Sequence, residues 1–232
     1  MKTEQLAVVQ GWTDTRGALR RWNARPSVVL GPWALASLLV AVLLLAATWV
    51  VATLSTPDPS GASFPGVSAA ATADDYGFVL FRNGLVLALH SLACVAGFMA
   101  GSSLPHVAEG YRGIWRKVHE LAGPLAIGFV AAATLFSLAT QAYALGGHAS
   151  TLAADLGISP FVLVLGILPH ALPELFALFL PLAAWTLASR AKRWEELLAA
   201  TFVTTAIAIP ILLLAGAVEV WVSPRLLLAL AG

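Results

Sequence analysis

Six residues of this sequence could do chemistry in surroundings that otherwise reject charge: Arg82, Asn83, Gln141, His170, Glu174 and Glu219. The densest group lies in Ile167–Pro181, ILPHALPELFALFLP, where His170 and Glu174 stand four residues apart among Pro169, Pro173 and Pro181. On a helix that spacing puts imidazole and carboxyl on one face. A glutamate at bilayer depth costs roughly 2.5–3.5 kcal/mol on insertion scales, so it requires a partner. Pro169 and Pro173 have no N–H, which deprives the carbonyls of Leu165 and Pro169 of their helical donors. Such carbonyls survive in hydrocarbon only against protein or a wet cavity. The segment reads either as a kinked helix with a satisfied polar pair or as a functional or assembly site. The coincidence of kink and charge favours the site.

The elements that must position these residues follow from composition. Of 232 residues, 59% are hydrophobic and 11% charged, far below the roughly 25% charged of soluble domains. Net charge is +1 and indicates no nucleic-acid partner. The single cysteine, Cys94, lies in an apolar run; it forms no disulfide framework or thiolate metal site and reads as a packing residue. Residues 1–32 form a basic N-terminal segment with Lys2, Arg16, Arg20, Arg21, Arg25, Trp12 and Trp22. It reads as a cytoplasmic, interfacial helix ending at Pro26. Residues 33–232 then form one membrane domain. Its apolar runs, each at least the ~20 residues a bilayer demands and the fourth long for one straight span, are Trp33–Leu54, Phe78–Leu104, Leu121–Leu145, Ser159–Ser189 and Leu197–Val222. The expected fold is all-α, with five transmembrane helices and the fourth broken near Pro169. Between them, 55–75 reads as a flexible outer loop, 105–120 as a cytoplasmic loop and 146–157 as a short outer loop.

Orientation follows from the basic residues. The three segments read as cytoplasmic hold five, three and three Lys and Arg, eleven of the thirteen in the chain. The positive-inside rule then puts the N-terminus inside and the C-terminus outside. By depth, the six polar residues fall in the outer half although they come from four segments. Polar groups in lipid converge and pair, so an outward-facing polar pocket is expected, with Arg82 neutralising Glu219 rather than the deeper Glu174. Gly97 and Gly101 form a GxxxG, a helix-packing surface within one copy or between copies of a homo-oligomer. His90 on that stripe reads as an interhelical hydrogen-bonder.

Three motifs in order carry a resemblance. PHALPEL (Pro169–Leu175), after the apolar GIL of Gly166–Leu168, resembles the Pro-His-Gly-x-x-Glu core of the stage II sporulation protein M family of integral membrane proteins. AGAVEVWVSP (Ala215–Pro224) resembles that family's Ala-Gly-x-x-Glu…Pro end, and FRNGLVLAL (Phe81–Leu89) is similar to its asparagine-bearing entry into the second span. The likeness runs from Phe78 to Pro224; Ala171 stands where the family usually has glycine. The resemblance implies a bacterial cytoplasmic-membrane protein of the cell envelope. The sporulation member is the membrane platform of the engulfment machinery and works with two peptidoglycan-degrading partners.

Three functional classes are compatible with these residues. One is a non-enzymatic scaffold for other envelope membrane proteins, peptidoglycan hydrolases among them. It accords with the absence of any loop large enough to bury a soluble catalytic core. The alternative is a small transporter or permease subunit, suggested by intramembrane charge beside prolines. The third is an intramembrane hydrolase, for which His170, Glu174, Glu219, His90 and Asn83 would supply ligands; no HExxH accompanies them, and Ser91 points to another face than His90. Neither cofactor nor metal is expected, and no residue is assigned a catalytic role.

Overall fold

Runs this apolar and this long satisfy their backbone polar groups internally only as helices. The computed structural model describes residues 7–103 and 112–232. Residues 1–6, at the start of the basic segment, and 104–111, in the first part of the expected loop 105–120, lie outside the described residues. The helices are α1 (Ala7–Asn23), α2 (Pro26–Leu54), α3 (Ala73–Phe98, continued by a π-turn over Met99–Ser103), α4 (Ile114–Asp155), α5 (Pro160–Arg190), α6 (Leu197–Trp221) and α7 (Ser223–Leu230), with a 3₁₀ turn over Trp194–Glu196 before α6. Among the described residues, five helical stretches are long and apolar enough to cross a membrane, as the sequence predicts.

The helix boundaries have local causes. α2 starts at Pro26, earlier than the expected Trp33, because proline suits the first helical turn. A reciprocal cap opens α3: Asp75 N–H donates to Thr72 Oγ1 (3.2 Å), while Thr72 N–H donates to Asp75 Oδ2 (2.8 Å). α4 ends on Gly157 at φ +68°, where Ile158 N–H reaches Ala153 O (3.0 Å) and Gly157 N–H reaches Ala154 O (3.1 Å). This is a Schellman termination, in which glycine takes the left-handed position without a Cβ clash.

Two sequence expectations about the helices are corrected. The short outer loop expected over 146–157 is helical to Asp155. Gly146 lies against Val51 and the carbonyl of Thr48, while Ala149, Leu152 and Ala153 bury an i, i+3, i+4 face. Gly146 therefore permits close approach to α2, and the chain does not turn there. Similarly, α5 is continuous from Pro160 to Arg190 with no interruption at Pro169. Each proline removes one hydrogen bond; the rest of the ladder carries the helix through.

The chain packs as two compact units, each drawing parts of several helices. Unit 1 comprises 1–37, 86–134 and 178–208. In it Trp22 meets Trp33 edge-on at 5.2 Å, and Arg21 (3.1 Å) and Arg193 (3.3 Å) both reach Glu196. Gly97 faces Trp185 and Leu197, and Gly101 faces the Trp194 ring. The GxxxG surface is thus filled by the chain's own aromatic residues. His90 Nδ1 lies 2.7 Å from Leu178 O, the interhelical bond the sequence suggests, and Cys94 Sγ donates to Pro181 O (3.3 Å).

Unit 2 comprises 38–85, 135–177 and 209–232 and holds all six polar residues singled out above. Its core cluster is Ala52, Ala149, Leu152, Ala153, Leu163 and Leu227. The connection 55–72 corrects the flexible-linker expectation. Phe64 and Val67 pack on that cluster. Thr151 Oγ1 accepts from Asp58 N–H (3.0 Å), Asp155 Oδ2 accepts from Ala62 N–H (2.7 Å), and Ser150 Oγ donates to Ser55 O (3.0 Å). Asp58 accepts from the N–H and hydroxyl of Ser60, which holds its carboxyl below the usual carboxylate range.

Candidate functional site

Two i, i+4 pairs build the centre of unit 2. His170 and Glu174 occupy one face of α5; Glu219 near the end of α6 and Ser223 at the start of α7 are also one turn apart. They meet in reverse order, as antiparallel helices require. His170 Nδ1 lies 2.6 Å from Ser223 Oγ, and the carboxyl groups of Glu174 and Glu219 come within hydrogen-bonding reach of each other. His170 is 6% exposed and Ser223 fully buried, so both polar atoms depend on this contact for satisfaction.

Asn83 on α3 is 7% exposed and sits beside Glu174. Its Nδ2 and the Oε2 of Glu174 are buried without a well-formed hydrogen bond. Arg82, one position earlier, is exposed and lies over the Phe78 ring, 5.8 Å from its centroid. Its guanidinium acts on both Glu219 and Glu174 through space, but among the described residues it makes no contact ion pair with either. The closed Arg82–Glu219 salt bridge that the sequence suggests does not form.

Four of these residues border a cavity of about 510 Å³ lying wholly within unit 2; Asn83 and Ser223 stand behind its lining. Arg82, His170, Glu174 and Glu219 line it, joined by His148 and Asp75. Its remaining wall is mainly aliphatic and aromatic, including Leu44, Leu163, Ile167 and Phe78, and the connection supplies Ser63, Phe64 and Pro65. Gln141 is not part of it: its Nε2 donates to Ser137 Oγ (2.8 Å) one turn back on α4. Gly97 and Gly101 belong to unit 1. Sequence reasoning missed Ser223, His148 and the Ser63–Pro65 stretch. Only Ser223 carried a signal, since Glu219 and Ser223 repeat the four-residue spacing of His170 and Glu174.

Chemically, the cavity offers two adjoining carboxyl groups, an imidazole held by a hydroxyl and an apolar wall, with one guanidinium at greater distance. That arrangement can hold a polar group belonging to an otherwise apolar ligand. Among the described residues no three of His, Cys, Asp and Glu converge as a metal site.

The architecture and this pocket define an all-helical, multi-pass membrane protein whose long helices expose apolar side chains suited to lipid contact. Comparisons of the chain with family models, with curated proteins and with solved structures found no match.

Proposed function

We propose that the protein is a non-enzymatic platform in a bacterial cytoplasmic membrane that recruits or supports peptidoglycan-remodelling proteins, as its resemblance to stage II sporulation protein M implies, and that it works through the unit-2 pocket. The observation that carries this reading is convergence. Asn83, His170, Glu174, Glu219 and Ser223, drawn from the three resembling motifs, come from separate segments and meet in two adjoining contacts, His170 with Ser223 and Glu174 with Glu219 and Asn83. Affinity purification from native membranes in mild detergent, followed by mass spectrometry, should recover cell-wall hydrolases. Their recovery should fall several-fold with Glu174→Gln. If the variant retains the same partners at the same yield, the platform does not act through the pocket.

A small permease subunit is the second reading, favoured by the 510 Å³ cavity, since membrane carriers place substrate sites among intramembrane charges. An ATPase in place of hydrolases in the same purification would select it. Under both readings we place the N-terminus inside and the C-terminus outside, from the distribution of Lys and Arg. A fluorescent reporter that matures only in the cytoplasm, fused after Gly232, should stay dark; bright membrane-inserted fusions would reverse the assignment.

A further inference from the structure

We propose that the unit-2 pocket binds a primary ammonium group carried on an apolar body, with Glu174 and Glu219 as its acceptors. This deepens the preceding reading by naming the ligand class of the same pocket. Three carboxyl-bearing residues line the cavity against a single arginine. Asp75 is already engaged, because its Oδ2 accepts from the N–H (2.8 Å) and hydroxyl (2.7 Å) of Thr72. Glu174 and Glu219 are different: they face each other, Arg82 does not close on either, and Glu174 Oε2 is buried without a partner. A buried acceptor left in this way requires a donor.

An ammonium has three N–H donors on one compact charge, enough to bridge two carboxylates. Other ligands fit less well. A quaternary ammonium has no N–H and is recognised by an aromatic cage, whereas the aromatic lining consists of Phe64 and Phe78. Hard divalent cations take six or more oxygen ligands, more than two glutamates and one asparagine provide. An anion would meet both carboxyl groups. The apolar remainder of the wall and the volume of about 510 Å³ suit a drug-sized hydrophobic body. The same chemistry occurs in an aminophospholipid of the bilayer and in a free amphiphilic amine.

The test uses the full chain in nanodiscs of phosphatidylcholine, which contains no primary amine. Binding of n-octylamine, octan-1-ol and octanoate is measured by calorimetry at neutral pH. Octylamine should bind saturably at one site, at least about tenfold tighter than octanol, because only the ammonium can make charge-assisted hydrogen bonds to both carboxylates. Equal binding of amine and alcohol, stronger binding of octanoate, or no saturable amine site would overturn the proposal. These comparisons need no variant and no partner, so they fail independently of the platform reading. In the folded Glu174→Gln, Glu219→Gln double variant the amine preference should vanish, while Arg82→Ala should retain it. Preference retained in the double variant would also overturn the assignment. Nanodiscs containing phosphatidylethanolamine identify the source: competition against octylamine indicates the bilayer lipid, and undiminished binding indicates a free amphiphile.

Discussion

Gly66→Val should release the connection over 55–72 from unit 2 and lower thermal stability by roughly 2–5 kcal/mol. Two independent causes act at this position. Gly66 has φ +81°, and a left-handed backbone costs an L-residue about 1–2 kcal/mol, more when it is β-branched. In addition, a Cβ built there would lie 2.6 Å from Pro224 Cγ and 3.3 Å from Val220 O. The proline ring is rigid and cannot swing aside, and overpacking of this kind typically costs about 1–3 kcal/mol. Gly61→Ala separates the causes. Its φ is +79°, but the nearest atom to its Cβ is an Asp155 carboxylate oxygen at 3.4 Å, so the strain comes with little clash. It should lose about 1–2 kcal/mol. Thermal unfolding in detergent would rank the variants, and chymotrypsin would report on Phe64, which the release exposes. A Gly66→Val protein that unfolds with wild-type cooperativity and keeps Phe64 protected would show that the connection is not seated on unit 2.

The five long helices were legible because bilayer length and hydropathy constrain little else. The convergence of Asn83, His170, Glu174 and Glu219 was legible for a related reason: buried polar groups need partners, and these segments offer few others. Gln141 escaped the same argument because Ser137, four residues earlier, satisfies it locally. That pair stood in the sequence; what it did not reveal was the preference for the local partner over the pocket.

Glycine and proline were harder to interpret. The stretch 146–157 suggested an outer loop, yet Gly146 serves contact with Val51. The Pro- and Gly-rich connection suggested flexibility, yet Phe64 and Val67, three residues apart, anchor it to the core cluster. Composition reports which backbone angles are accessible; it does not report which tertiary contacts select one. Arg82 illustrates a further limit. The sequence paired it with Glu219 by expected depth, but a linear pattern contains no information on the lateral distance that decides whether two charges touch.

The His170–Ser223 contact should behave as a single coupled unit. Both residues are almost completely enclosed, with 6% and 0% exposure, and their separation is 2.6 Å. Whichever ring nitrogen holds the proton, Nδ1 and Oγ satisfy each other. Ser223→Ala strands Nδ1, and His170→Phe, which retains the ring, strands the hydroxyl. A buried unsatisfied group costs roughly 1–3 kcal/mol, so each single substitution should lower stability by about that amount. In the double variant neither group remains stranded, and its loss should be smaller than the two single losses combined. Hydrogen bonds between membrane helices average about 0.6 kcal/mol in such cycles, with a maximum near 1.7 kcal/mol. Coupling here should approach that maximum because no other polar partner is in reach of Ser223 Oγ among the described residues. The readout is the thermal unfolding midpoint of the four proteins in one detergent. Additive losses would mean that the contact carries no net energy. Losses of amine binding in His170→Phe with stability fully preserved would instead move His170 from support of the centre to direct contact with the ligand.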